Sequence, residues 1–118
     1  MARFKRGDIM VLPFPFSDAS SAKPRPCLVV AKLPYLGGTD HLVCMISTQN
    51  TSDPQSIELK PSDLVLGRLD AQSYVRPLYL FGASGDVVER RIGVMQQDMF
   101  GQDMFGQVLQ AIIKVVNP

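Results

Sequence analysis

The stretch KPRPCLVVAKL, residues 23–33, decides how the chain folds. An arginine stands between two prolines, and a nearly unbroken apolar run follows it. Each pyrrolidine ring fixes its own φ at about −65° and biases the preceding residue toward extended geometry. Pro24-Arg25-Pro26 is therefore a stiff, extended lead-in, and the β-branched Val29 and Val30 carry it on as a buried strand. A second run, HLVCMIST at 41–48, repeats that composition, and the PYLGGTD between them has turn chemistry. Two adjacent apolar strands joined by a glycine-containing turn put a sheet at the centre of the fold.

Outward from this pair, GDIMVLPFPF (7–16) reads as a strand whose proline-rich end belongs at a sheet edge or bend. SDASSAKPR (17–25) and QNTSDPQ (49–55) have loop composition, and SIELK (56–60) alternates as a strand. PSDLVLGRLDAQ (61–72) fits either one helical turn or a strand broken at Gly67. SYVRPLYLF (73–81) and DVVERRIG (86–93) again read as strands. Between Met95 and Val116 the apolar period lengthens, and Phe105, Val108, Leu109, Ile112, Val115 and Val116 form one helical stripe stopped by Asn117-Pro118. The expectation is a mainly β chain, a small SH3-like, partly open barrel of six or seven short strands with a C-terminal helix, forming one domain over residues 1–118. QDMFG occurs in tandem at 97–101 and 102–106. Five residues turn a helix by about 500°, so the two Met-Phe pairs cannot share a face. One pair is exposed or buried against another subunit, or the segment is not one continuous helix.

Hydrophobic residues make up 46% and charged residues 19%, a globular balance. No apolar run approaches the roughly 20 residues that span a bilayer, and MARFKRGD lacks a signal-length apolar stretch. A cytoplasmic protein without membrane contact is expected. Cys27 and Cys44 lie in apolar runs, where reduced, buried thiols are the default. With His41 the only histidine, no zinc-type ligand set can be built, and no cofactor is expected. His41 follows a Gly-Gly turn and reads as an exposed structural residue. Net charge is only +1, yet Arg3, Lys5, Arg6, Lys23 and Arg25 face just Asp8 and Asp18 within the first 25 residues, so a local basic patch is possible.

The polar residues placed at loops and strand ends are Asp18, Lys23, Arg25, Ser47, Thr48, Gln49, Asp70, Ser73 and Arg76. Cations and hydroxyls suit a phosphodiester better than an apolar ligand. Each also has an ordinary structural reading. An arginine before a strand is commonly solvated, Ser47-Thr48 fits turn hydrogen bonding, and Arg76 fits a cross-strand ion pair. Asp8 fits a residue that pins the first strand. Phe14, Phe16, Tyr74 and Tyr79 could stack RNA bases or fill a core.

FKRGDIMVLPFPFSDASSAKPRPCLVV (4–30), HLVCMISTQ (41–49), SDLVLGRLDAQSYVRPLYLF (62–81) and VERRIGVM (88–95) together resemble the MazF/PemK family of toxin endoribonucleases. The resemblance implies a CcdB/PemK-like barrel acting as a homodimer, metal-independent cleavage of single-stranded RNA, and neutralisation by a small antitoxin protein. It implies catalytic roles for Arg25 and Thr48, with Ser47 beside the latter, and for Arg76 as a second arginine in phosphate contact or proton transfer. Lys23, Ser47, Gln49, Asp18 and Asp70 complete the candidate substrate-binding set. Some members carry an aspartate two positions after the second arginine; here that position is Leu78, and Asp70 is a nearby carboxylate in sequence. Two other functions fit the same chain: a non-catalytic barrel binding RNA or protein, and a CcdB-like toxin directed at a protein target.

Overall fold

The computed structural model describes residues 4–13, 24–33, 40–49, 53–85, 90–97 and 103–118. Within them the chain forms β1 (Asp8–Pro13), β2 (Pro24–Leu33), β3 (Asp40–Ser47) and β4 (Ile57–Leu59). A 3-10 turn (Pro61–Asp63) leads to β5 (Leu64–Gly67), β6 (Ser73–Ser84), β7 (Arg90–Met95) and α1 (Met104–Val116). All strand pairs are antiparallel, in the order β4-β6-β3-β2-β1-β7-β5. Four of the six ladders contain a register shift. Such bulges bend strands and raise the local twist, which curls a sheet of short strands instead of leaving it flat.

The unbroken apolar runs have a simple cause: both faces of the central strands are buried. Ile9, Leu28, Val30, Cys44, Ile46 and Val75 face one cluster, into which α1 packs Met104, Phe105 and Val108. Met10, Leu12, Cys27, Val29 and Val43 face a second cluster on the other side. Strictly alternating residues of β1 and β2 thus supply the two clusters, so alternation of polarity disappears from their sequences. Cys27 and Cys44 are free thiols with no exposed surface and fall in different clusters. Burial pushes the Cys27 thiol up to about 12 and the Cys44 thiol higher still, the neighbouring Cys27 adding to the latter.

The Arg6-Gly7-Asp8 landmark is a structural turn. Gly7 has φ +92°, and its backbone N–H donates to the Val29 carbonyl at 2.9 Å while its carbonyl accepts from Met95 N at 2.8 Å. Asp8 is fully buried. Its Oδ2 accepts from Lys5 N at 3.1 Å and lies 3.8 Å from Arg91 Nη1, so it pins the start of β1 as its sequence position suggests. His41 departs from expectation. It is 1% exposed, its Nε2–H donates to the Phe4 carbonyl at 3.0 Å, and its ring meets Phe4 edge-on. His41 pairs with Ala83 of the second cluster and meets Phe4, which packs against that cluster, and this draws the ring inside.

Two elements differ from the sequence reading. The ambiguous 61–72 stretch contains both alternatives, a 3-10 turn followed by a strand that stops at Gly67. Met95, where the apolar period of the sequence lengthens, still closes β7; α1 begins at Met104 and carries the whole stripe, with Asp103 as N-cap accepting from Gly106 N at 2.9 Å. The second Met-Phe pair is therefore core, and the segment is not one continuous helix. Met99-Phe100 of the first copy lies outside the described residues. Val115 and Val116 share the stripe but are 57% and 74% exposed, because the last turn of α1 runs beyond the core. Among the described residues no helix is long and apolar enough to cross a membrane.

Candidate active site

The candidate residues gather at one end of the sheet, because antiparallel pairing brings alternate strand starts and finishes together. β1 ends where β2 begins (Pro13↔Pro24), β3 ends where β6 begins (Ser47↔Tyr74), and β7 begins against β1 (Val11↔Arg90). A rigid rim results, built by five strands.

The pleat divides this rim into two faces. Cys27 pairs with Met45, and Met45 with Arg76, so the three stand in one row across β2, β3 and β6. Arg25 is two residues beyond Cys27, and Ser47 two beyond Met45 and opposite Tyr74. Arg25, Ser47 and Arg76 hence belong to the same face, with β3 and its Ser47 lying between the strands of the two arginines. Arg25 is exposed, on a backbone held by Pro24 and Pro26 and paired with Leu12.

Arg76 is already held. Its Nε lies 3.4 Å from Asp53 Oδ2, with both side chains largely buried at 16% and 13% exposure. Its guanidinium carbon sits 3.7 Å from the centre of the Tyr79 ring. This contact depends on an irregularity in β6. Cys44 pairs with Leu80 but Met45 pairs with Arg76, so Pro77, Leu78 and Tyr79 are extra residues that bulge from the ladder. Asp53 is fixed in turn: its Oδ1 accepts from Gln55 N at 2.9 Å and its carbonyl from Ser56 N at 3.1 Å. The ion pair uses Nε, which leaves the terminal edge of the fork, Nη1 and Nη2, as the part not engaged by Asp53.

Thr48 turns to the other face. Ser47 Oγ accepts from Gln49 N at 3.1 Å, and the resulting bend takes Thr48 out of the ladder. Thr48 lines a cleft of about 510 Å³ with Pro24, Pro26, Asp70, Arg68 and Arg90. Arg25 is not a lining residue of this cleft, although both of its flanking prolines are. The rim therefore brings Arg25 together with Ser47 and Arg76, and Thr48 together with Asp70, the two groups meeting where the strands end. Gln49 is exposed beside Thr48, while Lys23 and Asp18 lie outside the described residues, as do Phe14 and Phe16.

Sequence reasoning missed Arg68, Arg90 and Asp53. Nothing in the local sequence singles out the two arginines, and only the cleft unites them. Asp53 carried a signal, since Asp-Pro in a polar loop marks a turn that fixes its own carboxylate, but its pairing with Arg76, 23 residues away, is tertiary.

Solved structures share this architecture. An endoribonuclease from a mycobacterial species, solved in complex with its cognate antitoxin, superposes with a TM-score of 0.70 at 14% identity, over 98% of each chain. MazF from Deinococcus radiodurans gives 0.68 at 14% identity, over 100% of this chain and 99% of that one. The Mycobacterium tuberculosis toxin MazF-mt6 gives 0.64 at 18% identity, over 93% and 96%. Identities this low establish a shared fold, and no curated protein matches the chain in sequence. The sequence itself supplies the closer link, since the model of the PemK-like, MazF-like toxins matches residues 5–116, from before the Arg6-Gly7-Asp8 turn to the end of α1. With fold, landmarks and extent in agreement, the chain belongs to the PemK-like, MazF-like toxin family of type II toxin–antitoxin systems.

Proposed function

We propose that the chain is a metal-independent endoribonuclease that cuts single-stranded RNA by attack of a ribose 2′-OH on the adjacent phosphorus, expelling the 5′ oxygen. The observation that carries this reading is the convergence of Arg25, Ser47 and Arg76 on one face of the rim, with Thr48 and Asp70 just over its edge. The reaction needs removal of the 2′ proton, protonation of the leaving oxygen, and stabilisation of a phosphorane-like charge. Two guanidinium forks suit the last need, since they remain charged and match phosphate oxygens in geometry. Arg25 is pre-organised by its prolines and Arg76 by Asp53 and Tyr79, so little freedom is lost when they meet the phosphate. Ser47 and Thr48 supply hydroxyls to the phosphate and ribose. Asp70 is the carboxylate offered to the cleft, whereas Asp53 is tied by Arg76 and by its own turn. Asp70 accordingly takes the 2′ proton, in place of the acid that Leu78 cannot be.

The resemblance and the mycobacterial complex support a small antitoxin as the cognate partner, bound as an extended or helical peptide over the basic rim and excluding RNA. The exposed Ile113, Val115 and Val116 support burial against a second copy, and the active particle is a homodimer in this reading. Incubating the purified protein with a long, unstructured RNA in excess EDTA tests the function. Discrete fragments with 2′,3′-cyclic phosphate ends are expected; intact RNA over the range of active-enzyme concentrations contradicts it, and points to a binding-only barrel or a protein target.

A further inference from the structure

We propose that the chain carries a base-reading pocket next to the rim, formed by the continuous segment 58–72, and that it selects a guanine flanking the cut; this rests on the RNA-cleaving reading above. β4 and β5 are the two outer strands of the sheet, and the 3-10 turn joins them directly. They diverge from that corner, and Arg68–Gln72 returns from the end of β5 to β6, which pairs with β4 at Leu59↔Ser73. Residues 58–72 therefore ring a cavity of about 440 Å³, within the range of nucleotide-sized ligand sites. Arg68, Leu69, Asp70 and Ala71 line both this cavity and the Thr48 cleft. A strand of RNA leaving the cleft therefore meets the ring next.

The lining matches an unpaired base better than a peptide or a lipid. Leu59, Leu64 and Leu69 give apolar walls for its faces. Lys60 and Arg68 provide cations for the phosphates on either side. At the mouth, Gln72 Nε2 donates to Glu58 Oε2 at 2.8 Å. A carboxylate only accepts, so this bond dictates which end of the amide faces Glu58. The Gln72 carbonyl oxygen and the second Glu58 oxygen are then the two acceptors that this bond leaves unused, on two residues that line the cavity. Guanine is the base whose Watson–Crick edge offers two adjacent donors, N1–H and the 2-amino group. Adenine and cytosine offer one amino donor there, and uracil one N–H between two carbonyls. Single-stranded RNA exposes these edges, and carboxylates and amides are the side chains that read them.

The test uses cleavage and binding together. End-sequencing of fragments from a random RNA pool should show guanine enriched at one fixed offset from the cut. Gln72→Ala and Glu58→Gln should each flatten that enrichment about tenfold in protein whose thermal midpoint matches the wild type. In parallel, all-deoxy single strands, which lack the attacking 2′-OH, should bind more tightly with a guanine than with a thymine at that offset, a preference lost in both variants. Guanine-dependent binding without any cleavage would sink the enzyme and leave the pocket standing. Cleavage whose site preference is unchanged in both folded variants overturns the pocket. So does unchanged RNA preference with weakened co-purification of a co-expressed antitoxin, which would assign the ring to the protein partner.

Discussion

A guanidinium gripped at one nitrogen and covered on one face differs from a solvated one, because most of its rotational freedom is already gone. Arg76 is in that condition, held by Asp53 at 3.4 Å and by the Tyr79 ring at 3.7 Å. If the arrangement serves to aim the fork, then its supports act on the chemical step more than on substrate capture. Tyr79→Phe keeps the ring and should leave kcat near wild type. Tyr79→Leu and Asp53→Asn should lower kcat about tenfold with KM nearly unchanged, the loss expected from one partly buried cation–π or charge contact. Single-turnover kinetics on a short RNA would check this. A fall in thermal midpoint with kcat intact would instead mark the trio as purely structural. Arg76 also illustrates how far single residues can be read from sequence. The residue could be picked out as a phosphate ligand or an ion-pair partner, and the ion pair is there. What was not legible is the three-residue bulge that swings Tyr79 beneath it, since register slips come from tertiary pairing of β3 with β6.

Among the elements, β5 shows most clearly how one backbone position sets local geometry. Gly67 ends the strand at φ +83°, and a Cβ there would collide with the Ile92 carbonyl oxygen of β7. The left-handed turn frees Arg68–Gln72 from the β5–β7 ladder and lets it serve as the common wall of cleft and cavity. Gly67→Ala should cost about 1–3 kcal/mol, read as a lower urea midpoint at unchanged slope. A midpoint equal to wild type would mean that the turn has another conformation. The break at Gly67 was visible in the sequence. That a 3-10 turn and a strand would both fit into 61–67 was not, because Pro61, Ser62 and Asp63 favour a turn while Leu64-Val65-Leu66 favours extension, and only the pairing with β7 decides. The central strands were plain for the opposite reason. Burial on two faces writes itself as continuous apolar sequence in β2 and β3. The helical stripe from Phe105 to Val116 was legible too, and all of it falls within α1.

At the scale of the whole molecule, the curl of the sheet brings five strand ends to one rim and stacks a cleft beside it. Sequence landmarks pointed to one rim, since Pro24-Arg25-Pro26 and Ser47-Thr48 sit at strand ends that antiparallel pairing must juxtapose. Which face each side chain takes was beyond them. Arg25 and Thr48 are separated by the pleat, and it is Ser47 that shares the Arg25 face. The central claim is that Arg25 stabilises charge on a scissile phosphate. The most direct measurement is the single-turnover cleavage rate of Arg25→Ala on an RNA cut by the wild type, with circular dichroism and thermal midpoint recorded alongside. The account predicts an unchanged fold and a rate lower by two to three decades, about 3–4 kcal/mol of transition-state stabilisation. A folded Arg25→Ala that cleaves at the wild-type rate would contradict it.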